Sequence, residues 1–400
     1  MSTVVVARGA NDVLPCPSES ARRMKLTVER DAFADAVTAA ADATPNRPSV
    51  PILAGILLTT VDDGLTVSGF DYEVSSRSWV RGTVTDPGTV VVAARLLAAI
   101  TKALPHKPVE LASAGTHLEL VCGSARFTLP TMPVEDYPQL PGLPATVATA
   151  DAAALAQAVA QVGVAAGRDA ALPMMTGVRL ELRGNTLSLL ATDRYRLAHR
   201  DITINPAESG LNLDVLVPAK LLTDTAKTWG VGSVDISHDP DANGLVGFAI
   251  GQRKTTSRLL DGVNYPPVRS LFPTSYPSAA RVPVASLIET VKRVALVAER
   301  ATPVLLTFTD GGDAVVVEAG GAEEARASEA LGIGSYAGQP TLTVGFNPQY
   351  LIDGLHSLGT ATAHIGFVDA FKPAVISPAD DDGEPTLDHR YLIMPIRVSR

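Results

Sequence analysis

Residues 33–58 read FADAVTAAADATPNRPSVPILAGILL, and two later stretches follow the same plan: residues 155–180, LAQAVAQVGVAAGRDAALPMMTGVRL, and residues 287–308, LIETVKRVALVAERATPVLLTF. Each sets apolar residues at helical spacing, then an arginine, a proline-bearing break and a β-branched run that reads as a strand. The marker arginines Arg47, Arg168 and Arg300 recur after roughly 120–130 residues, a period that belongs to a repeated domain rather than to a solenoid unit. Each copy is long enough to bury its own core.

A second theme recurs inside each copy. Residues 90–97 (VVVAARLL), 215–222 (VLVPAKLL) and 343–351 (TVGFNPQYL) each run from a strand through a small-residue or proline turn into an apolar helix. Between these halves lie hairpin signals at Asp63-Gly64, Gly184-Asn185 and Asp310-Gly311-Gly312. The pattern predicts an α+β fold of three tandem repeats, each with two helices over antiparallel sheets and about eight short strands. Proline-rich joints at Pro138–Pro144 and Pro266–Pro277 mark the boundaries. The expected domains are 24–144, 145–276 and 277–400, preceded by a disordered leader at 1–23.

Composition narrows the function classes. The chain has 400 residues, 46% hydrophobic and 19% charged, with no apolar run that approaches a membrane span. Two cysteines, Cys16 and Cys122, supply neither a disulfide framework nor a metal cluster and fit a reducing cytoplasm. The net charge of −9 argues against nucleic acid unless a basic face sits on an acidic body. Several helices do carry base: Arg95, Lys102 and Lys107 on or after the second helix, Lys220 and Lys227 on the fourth, Lys292 and Arg293 on the fifth. A solvated helix face explains them equally well.

Catalytic signals fail. No phosphate loop, zinc-protease helix or nucleophile elbow occurs, and Gly332-Ile333-Gly334 lacks the third glycine of a dinucleotide fingerprint. The acidic tip Asp380-Asp381-Asp382 with Glu384 reads as a solvated loop, and Asp193 as a structural carboxylate. No cofactor or metal is expected.

Six segments together carry a resemblance: residues 46–53 (NRPSVPIL), 129–138 (LPTMPVEDYP), 191–198 (ATDRYRLA), 217–220 (VPAK), 346–348 (FNP) and 391–397 (YLIMPIR). In this order and spacing the chain resembles the bacterial DNA polymerase III beta subunit, the replication sliding clamp, most closely in its high-GC Gram-positive branch. The resemblance implies a DNA-clamp fold and a ring-shaped head-to-tail homodimer that encircles duplex DNA without reading its sequence. Duplex DNA presents about one charge per 1.7 Å, so a modestly basic lining would hold it. No catalysis is implied. The implied partners are a clamp loader, and DNA polymerases and repair proteins that dock through short linear motifs; cyclic peptide antibiotics would take the same groove.

The match carries residues over one by one. Arg47 and Arg168 become DNA-facing candidates, with Lys220, Lys227 and Lys292 behind them, although both arginines also suit a helix C-terminus. Thr192, Arg194, Arg196 and Leu197 match one groove wall, with Met174 and Met175 beside it. Pro266 and Leu271 match the linker wall. Asn347, Tyr350, Phe371 and Pro373 match the third repeat, and Leu392, Met394, Pro395, Ile396 and Arg397 the terminal strand. Flexible thioethers suit a groove with many partners, while ordinary core packing is the competing explanation for Met174, Met175 and Met394. Lys102, Leu104 and Pro105 on one surface, and Leu296 and Val297 on the other, are the implied dimer contacts. Met175 and Ser270 stand where the family more often has leucine and arginine. These departures raise the alternative of a specialised second clamp that confers antibiotic resistance; an enzyme built on the repeat is the remote one.

Overall fold

Six helices follow the repeat: α1 (Arg30–Asp42), α2 (Ala94–Ala103), α3 (Ala152–Gly163), α4 (Ala219–Ala226), α5 (Val284–Val294) and α6 (Pro348–Leu358). They come from a computed structural model that describes residues 24–45, 47–239, 244–262, 265–298, 302–320, 325–380 and 383–397. The expected leader at 1–23, the marker Arg300, and Asp381 and Asp382 of the acidic tip lie outside the described residues. Each odd-numbered helix packs against the even-numbered one that follows it, so both halves of every repeat contribute one helix to a pair.

Local signals set the helix ends. Asp151 caps α3 by accepting from the Ala154 amide at 2.8 Å. Asn347 caps α6 through the amides of Gln349 (2.9 Å) and Tyr350 (3.2 Å), and Pro348 fits the first turn, where no amide partner is needed. Gly359 ends α6 at φ 69°, a left-handed closure that costs glycine least.

The chain divides into two compact units: described residues up to Thr149 together with Ser233–Arg258, and residues Ala150–Gly232 together with Leu259 onward. In the first unit, eight strands form a closed circuit in the order 25–28, 109–114, 117–122, 125–132, 89–93, 55–61, 64–70 and 74–86, the last pairing back onto the first. Phe33, Val37 and Ala40 of α1 and Leu97 of α2 are buried against Leu58, Leu65, Leu111 and Leu120 of these strands. Alternate residues of each strand point into this core, which is the period-two pattern seen in the sequence. Leu104 belongs to the same core at 5% exposure. Its expected role as a dimer contact is therefore corrected: the side chain closes α2 onto its own sheet. Lys102 and Pro105 beside it are exposed.

The first unit also takes in strands 253–258, 245–250 and 233–239. They attach because residues Arg253–Ser257 pair antiparallel with Ser78–Val74. The second unit has the same joint between different repeats: Arg196–Arg200 pair with Ile393–His389. Its larger sheet runs 212–218, 177–183, 186–192, 196–203, 389–393, 374–378, 362–367, 278–283 and 335–337, and a four-stranded sheet runs 326–332, 314–320, 304–309 and 341–346. The compact units thus cut across the second repeat, because each repeat offers a strand edge whose amides and carbonyls are satisfied by its neighbour.

His389, on the strand shared by the second and third repeats, is fully buried. Burial, helped by the Arg200 guanidinium, pushes its pKa down to about 4. A base whose folded pKa lies below its unfolded value binds fewer protons when folded. Its contribution is therefore complete above the unfolded value of about 6.5 and lost as pH falls toward the folded one. Urea midpoints should accordingly drop between about pH 6.5 and pH 4, by a free energy on the order of 3 kcal/mol, and His389→Gln should flatten that slope.

Candidate functional site

A cavity of about 510 Å³ opens in the second unit. Three short segments form it: the loop after α3 (Ala166–Asp169, Leu172 and Met175), the turn Asp193–Arg196, and the first turns of α6 (Gln349, Tyr350 and Asp353). The turn is the organising piece. Asp193 Oδ1 accepts from the amides of Tyr195 at 2.9 Å and Arg196 at 3.0 Å. Thr192 Oγ1 donates to the Arg196 carbonyl at 2.6 Å and accepts from the Arg194 amide at 3.1 Å. These bonds hold Arg194 at φ 79°, in the left-handed region that residues with a side chain rarely adopt. The first repeat makes the same turn: Tyr72 sits at φ 74°, and Asp71 Oδ1 accepts from the amides of Glu73 (2.9 Å) and Val74 (2.6 Å).

Arg196 forms the floor. Only 6% of its side chain is exposed. Its Nε donates to Asp193 Oδ2 at 2.9 Å, and its Nη1 to Asp353 Oδ2 at 2.6 Å and to the Tyr391 hydroxyl at 3.3 Å. The guanidinium carbon lies 4.3 Å from the centre of the Tyr350 ring. Burial works against this charge, but the Tyr391 hydroxyl and the Asp353 carboxylate outweigh it and hold the guanidinium protonated well above its ordinary value. The Tyr391 hydroxyl in turn donates a hydrogen bond to the Tyr350 carbonyl at 3.0 Å, and burial pushes its pKa up. Gly354 lets this ring approach α6: a Cβ there would stand 2.5 Å from the Tyr391 ring.

Beneath the turn lies an apolar bed of Leu190, Leu197, Leu216, Val375 and Leu392, against which Met174 packs. The two methionines therefore divide the expected roles, Met174 in the packing and Met175 on the cavity wall. The sequence-derived groove residues fall into further groups. Thr192 is buried and spent on the turn, and Asn347 on capping α6. Pro266 accepts from the Val268 amide at 2.8 Å as the chain enters a short 3-10 helix (Val268–Leu271). Leu271, Phe371 and Met394 are exposed at 53%, 65% and 39%, which sets Met394 apart from core packing. Pro373 and Pro395 are half-buried and Arg397 is exposed. The terminal segment is tied down at two points: Met394 N donates to the Tyr195 carbonyl at 2.9 Å and Ile396 N to the Gly345 carbonyl at 2.8 Å.

Four lining residues on the turn and on α6 are not among those the resemblance selects. Asp193, expected to be a structural carboxylate, both builds the turn and lines the cavity. Asp353, Gln349 and Tyr195 are the others. The i,i+4 pair Gln349–Asp353, whose side chains bond at 2.7 Å, was a usable signal on α6. Arg168, expected to face DNA, also lines this cavity. Of the other DNA-facing candidates, Arg47 is exposed, Lys220 and Lys227 both pair with Asp224 (2.7 and 2.9 Å), and Lys292 pairs with Glu289 at 3.0 Å. Leu296 is 85% exposed and Val297 half-buried. Among the described residues no group of three or more His, Cys, Asp or Glu side chains is arranged to hold a metal, and no helix is long and apolar enough to cross a membrane.

Comparison with known proteins matches the whole described chain. Residues 24–141, 149–267 and 269–397 fit the N-terminal, central and C-terminal domain models of the DNA polymerase III beta subunit. The chain is 44% identical to the beta sliding clamp of Streptomyces coelicolor, over 94% of this chain and all of that protein. It is 39% identical to the beta sliding clamp homolog GriR of Streptomyces muensis, with the same coverage. Among solved structures, the Bacillus subtilis DNA polymerase sliding clamp superposes with a TM-score of 0.85 at 27% identity, and the Pseudomonas aeruginosa sliding clamp bound to griselimycin with 0.84 at 26%. Both cover 94% of this chain and the whole of theirs.

The geometry of the floor makes a testable claim. Arg196→Met leaves two carboxylates facing a thioether, and urea denaturation should show a loss of about 3 kcal/mol. Arg196→Lys should recover less than half, because an ammonium cannot reproduce the planar fork.

Proposed function

The chain belongs to the DNA polymerase III beta subunit family, and on that premise we propose how its surfaces serve a sliding clamp. A clamp of this family is a non-catalytic processivity factor of DNA polymerase III. The proposal adds the assembly, the DNA-facing surface, the partner groove and the domain boundaries 24–144, 145–276 and 277–400.

One observation carries the assembly. The fourth strand of repeat one (74–86) pairs with the last strand of repeat two (253–258), and the fourth strand of repeat two (196–203) with the last of repeat three (389–393). The same rule leaves two strands without their counterpart. Strand 326–332, the fourth of repeat three, is the edge of its sheet. Strand 125–132, the last of repeat one, pairs along 125–130 on one side only. A second copy supplies the missing joint, with residues 326–330 antiparallel to residues 125–129 of the partner, and Leu296 is the apolar contact beside it. Two such joints related by a two-fold axis close a head-to-tail ring and leave no edge for further growth. Closure removes the liability of two exposed strand edges.

The ring encircles duplex DNA without reading its sequence. Arg47, with Lys220, Lys227 and Lys292, supplies the lining cations; Arg168, expected with them, stands at the cavity instead. Pairing of the lysines with Asp224 and Glu289 favours the reading, because a lining of partly neutralised charge holds phosphates weakly enough to slide. The cavity around Asp193–Arg196 and Tyr350, with the exposed Leu271, Phe371 and Met394, is the groove for short motifs of DNA polymerases, repair proteins and the clamp loader. The site of action is the cytoplasm.

A second reading, a specialised copy that tolerates a clamp-binding antibiotic, is favoured by the 39% match to the GriR homolog. Calorimetric titration of griselimycin into this protein and into the Streptomyces coelicolor clamp decides it: equal affinities end that reading.

The principal test loads the protein onto nicked circular DNA and then linearises the circle. Release on cutting is expected; equal retention on linear DNA refutes encirclement. Leu296→Asp should shift light scattering from dimer to monomer. Asp224→Asn frees two lysines and should steepen the salt dependence of DNA binding by roughly one to two phosphate contacts.

A further inference from the structure

The strand 389–393, shared by repeats two and three, carries a cation without a carboxylate partner. Every other arginine on the strands of the larger sheet of the second unit has a carboxylate within 3.8 Å. Among the described residues Arg390 has none, and its one hydrogen bond runs from Nη2 to His199 Nδ1 at 3.4 Å. Its Nε is buried and unpartnered. The flat face of the guanidinium is spent on Phe272, whose ring centre lies 4.2 Å from the guanidinium carbon. Burial pulls the Arg390 pKa below its ordinary value against the opposing pull of Tyr276 and Asp201, and the nearby Arg269 lowers it further. A half-buried charge in this state is costly unless an ion from outside the chain pairs with it.

We infer that Arg390 and Arg269 together hold a phosphate-type oxyanion beside His199. Arg269 comes from the 3-10 helix Val268–Leu271 and places its Nη1 3.4 Å from His199 Nε2. The two guanidinium groups thus approach one buried imidazole at its two different nitrogens. The acids nearby are already engaged. Glu181 pairs with Arg269 at 2.9 Å and with Arg179 at 3.1 Å, and Asp201 Oδ1 meets both the Ser188 hydroxyl and His199 Nε2. The Arg269 side chain is 44% exposed, so an anion reaches the site from its side. Guanidinium forks bind oxyanions through short charge-assisted bonds. A tetrahedral oxyanion has oxygens enough for two forks that arrive from different elements, whereas a planar carboxylate is matched by one. None of these residues lines the cavity, so the site is separate from the partner groove. The bound ion ties the segment 268–272 to the strand that joins repeats two and three.

Calorimetric titration of inorganic phosphate into the full chain, with ionic strength held constant by chloride, tests the site. Saturable binding of one phosphate per chain is expected, weakened roughly tenfold or more in Arg390→Gln and in Arg269→Gln. Arg281→Gln should bind as the native chain does, because that guanidinium already pairs with Glu384. A thermal melt checks each variant; Arg269 is exposed, so its variant reads the site even where Arg390→Gln fails to fold. Phosphate should also slow amide exchange across Val268–Phe272 in the native chain and leave it unchanged in Arg269→Gln. Adenosine diphosphate titrated in place of phosphate separates the sources: tighter binding assigns the site to a nucleotide, equal or weaker binding to the free ion. Absence of saturable binding, equal binding by both arginine variants, or equal binding of acetate overturns the inference, and the groove reading stands in each case.

Discussion

The antiparallel pairing of Arg196–Arg200 with His389–Ile393 is the constraint on which the second unit depends. It joins a strand from the middle of the chain to one almost two hundred residues later, so one sheet spans two repeats. The cavity follows from it. Register sets Arg196 opposite Ile393 and Ala198 opposite Tyr391, and the Tyr391 hydroxyl then meets both the Arg196 guanidinium and the backbone of α6. A slip of one residue would turn every side chain of the strand to the other face, removing Tyr391 from this network and Leu392 from the apolar bed. Cavity and inter-repeat joint are thus one construction.

The charge arrangement has a similar economy. A guanidinium buried to this degree is tolerated because two carboxylates, a hydroxyl and an aromatic face surround it. Such a cluster adds little net stability over an apolar replacement of equal shape, but it fixes geometry, since the partners come from three elements: the turn, α6 and the terminal strand. The lysines Lys220, Lys227 and Lys292 are different in kind. They pair in water, where each pair is worth about 0–1 kcal/mol, and they exchange partners cheaply. Under the proposed encirclement this difference is useful: rigid charge shapes the groove, and labile charge meets the phosphates.

Much of the fold was legible in residue order. The helices and strands of the three marked stretches, the three strand–turn–helix halves and the hairpin turns at Asp63-Gly64 and Gly184-Asn185 all become the expected elements, because helix period, capping and turn chemistry are local. The cavity was legible only through resemblance, and then unevenly. Leu197, Leu392 and Met174 lie in the apolar bed, and Met175, Arg194, Arg196 and Tyr350 at the cavity. Asn347 and Thr192, by contrast, have their side chains engaged in local backbone bonds. Leu104 was misjudged because an apolar residue just past a helix reads the same whether it closes the core or awaits a partner.

What the sequence by itself determined is the periodicity: which residues form helices and strands, where turns fall, and that one module is written three times. Those properties depend on neighbours a few residues apart. Only the tertiary structure decided which strand edges meet, and therefore that the compact units cut through the second repeat. It alone showed that Asp353 on α6 closes over Arg196 from another repeat, and that Arg168 stands at the cavity. The physical reason is that a strand edge presents the same amides and carbonyls whatever its side chains, so the choice of neighbour is made by the packing of the whole sheet.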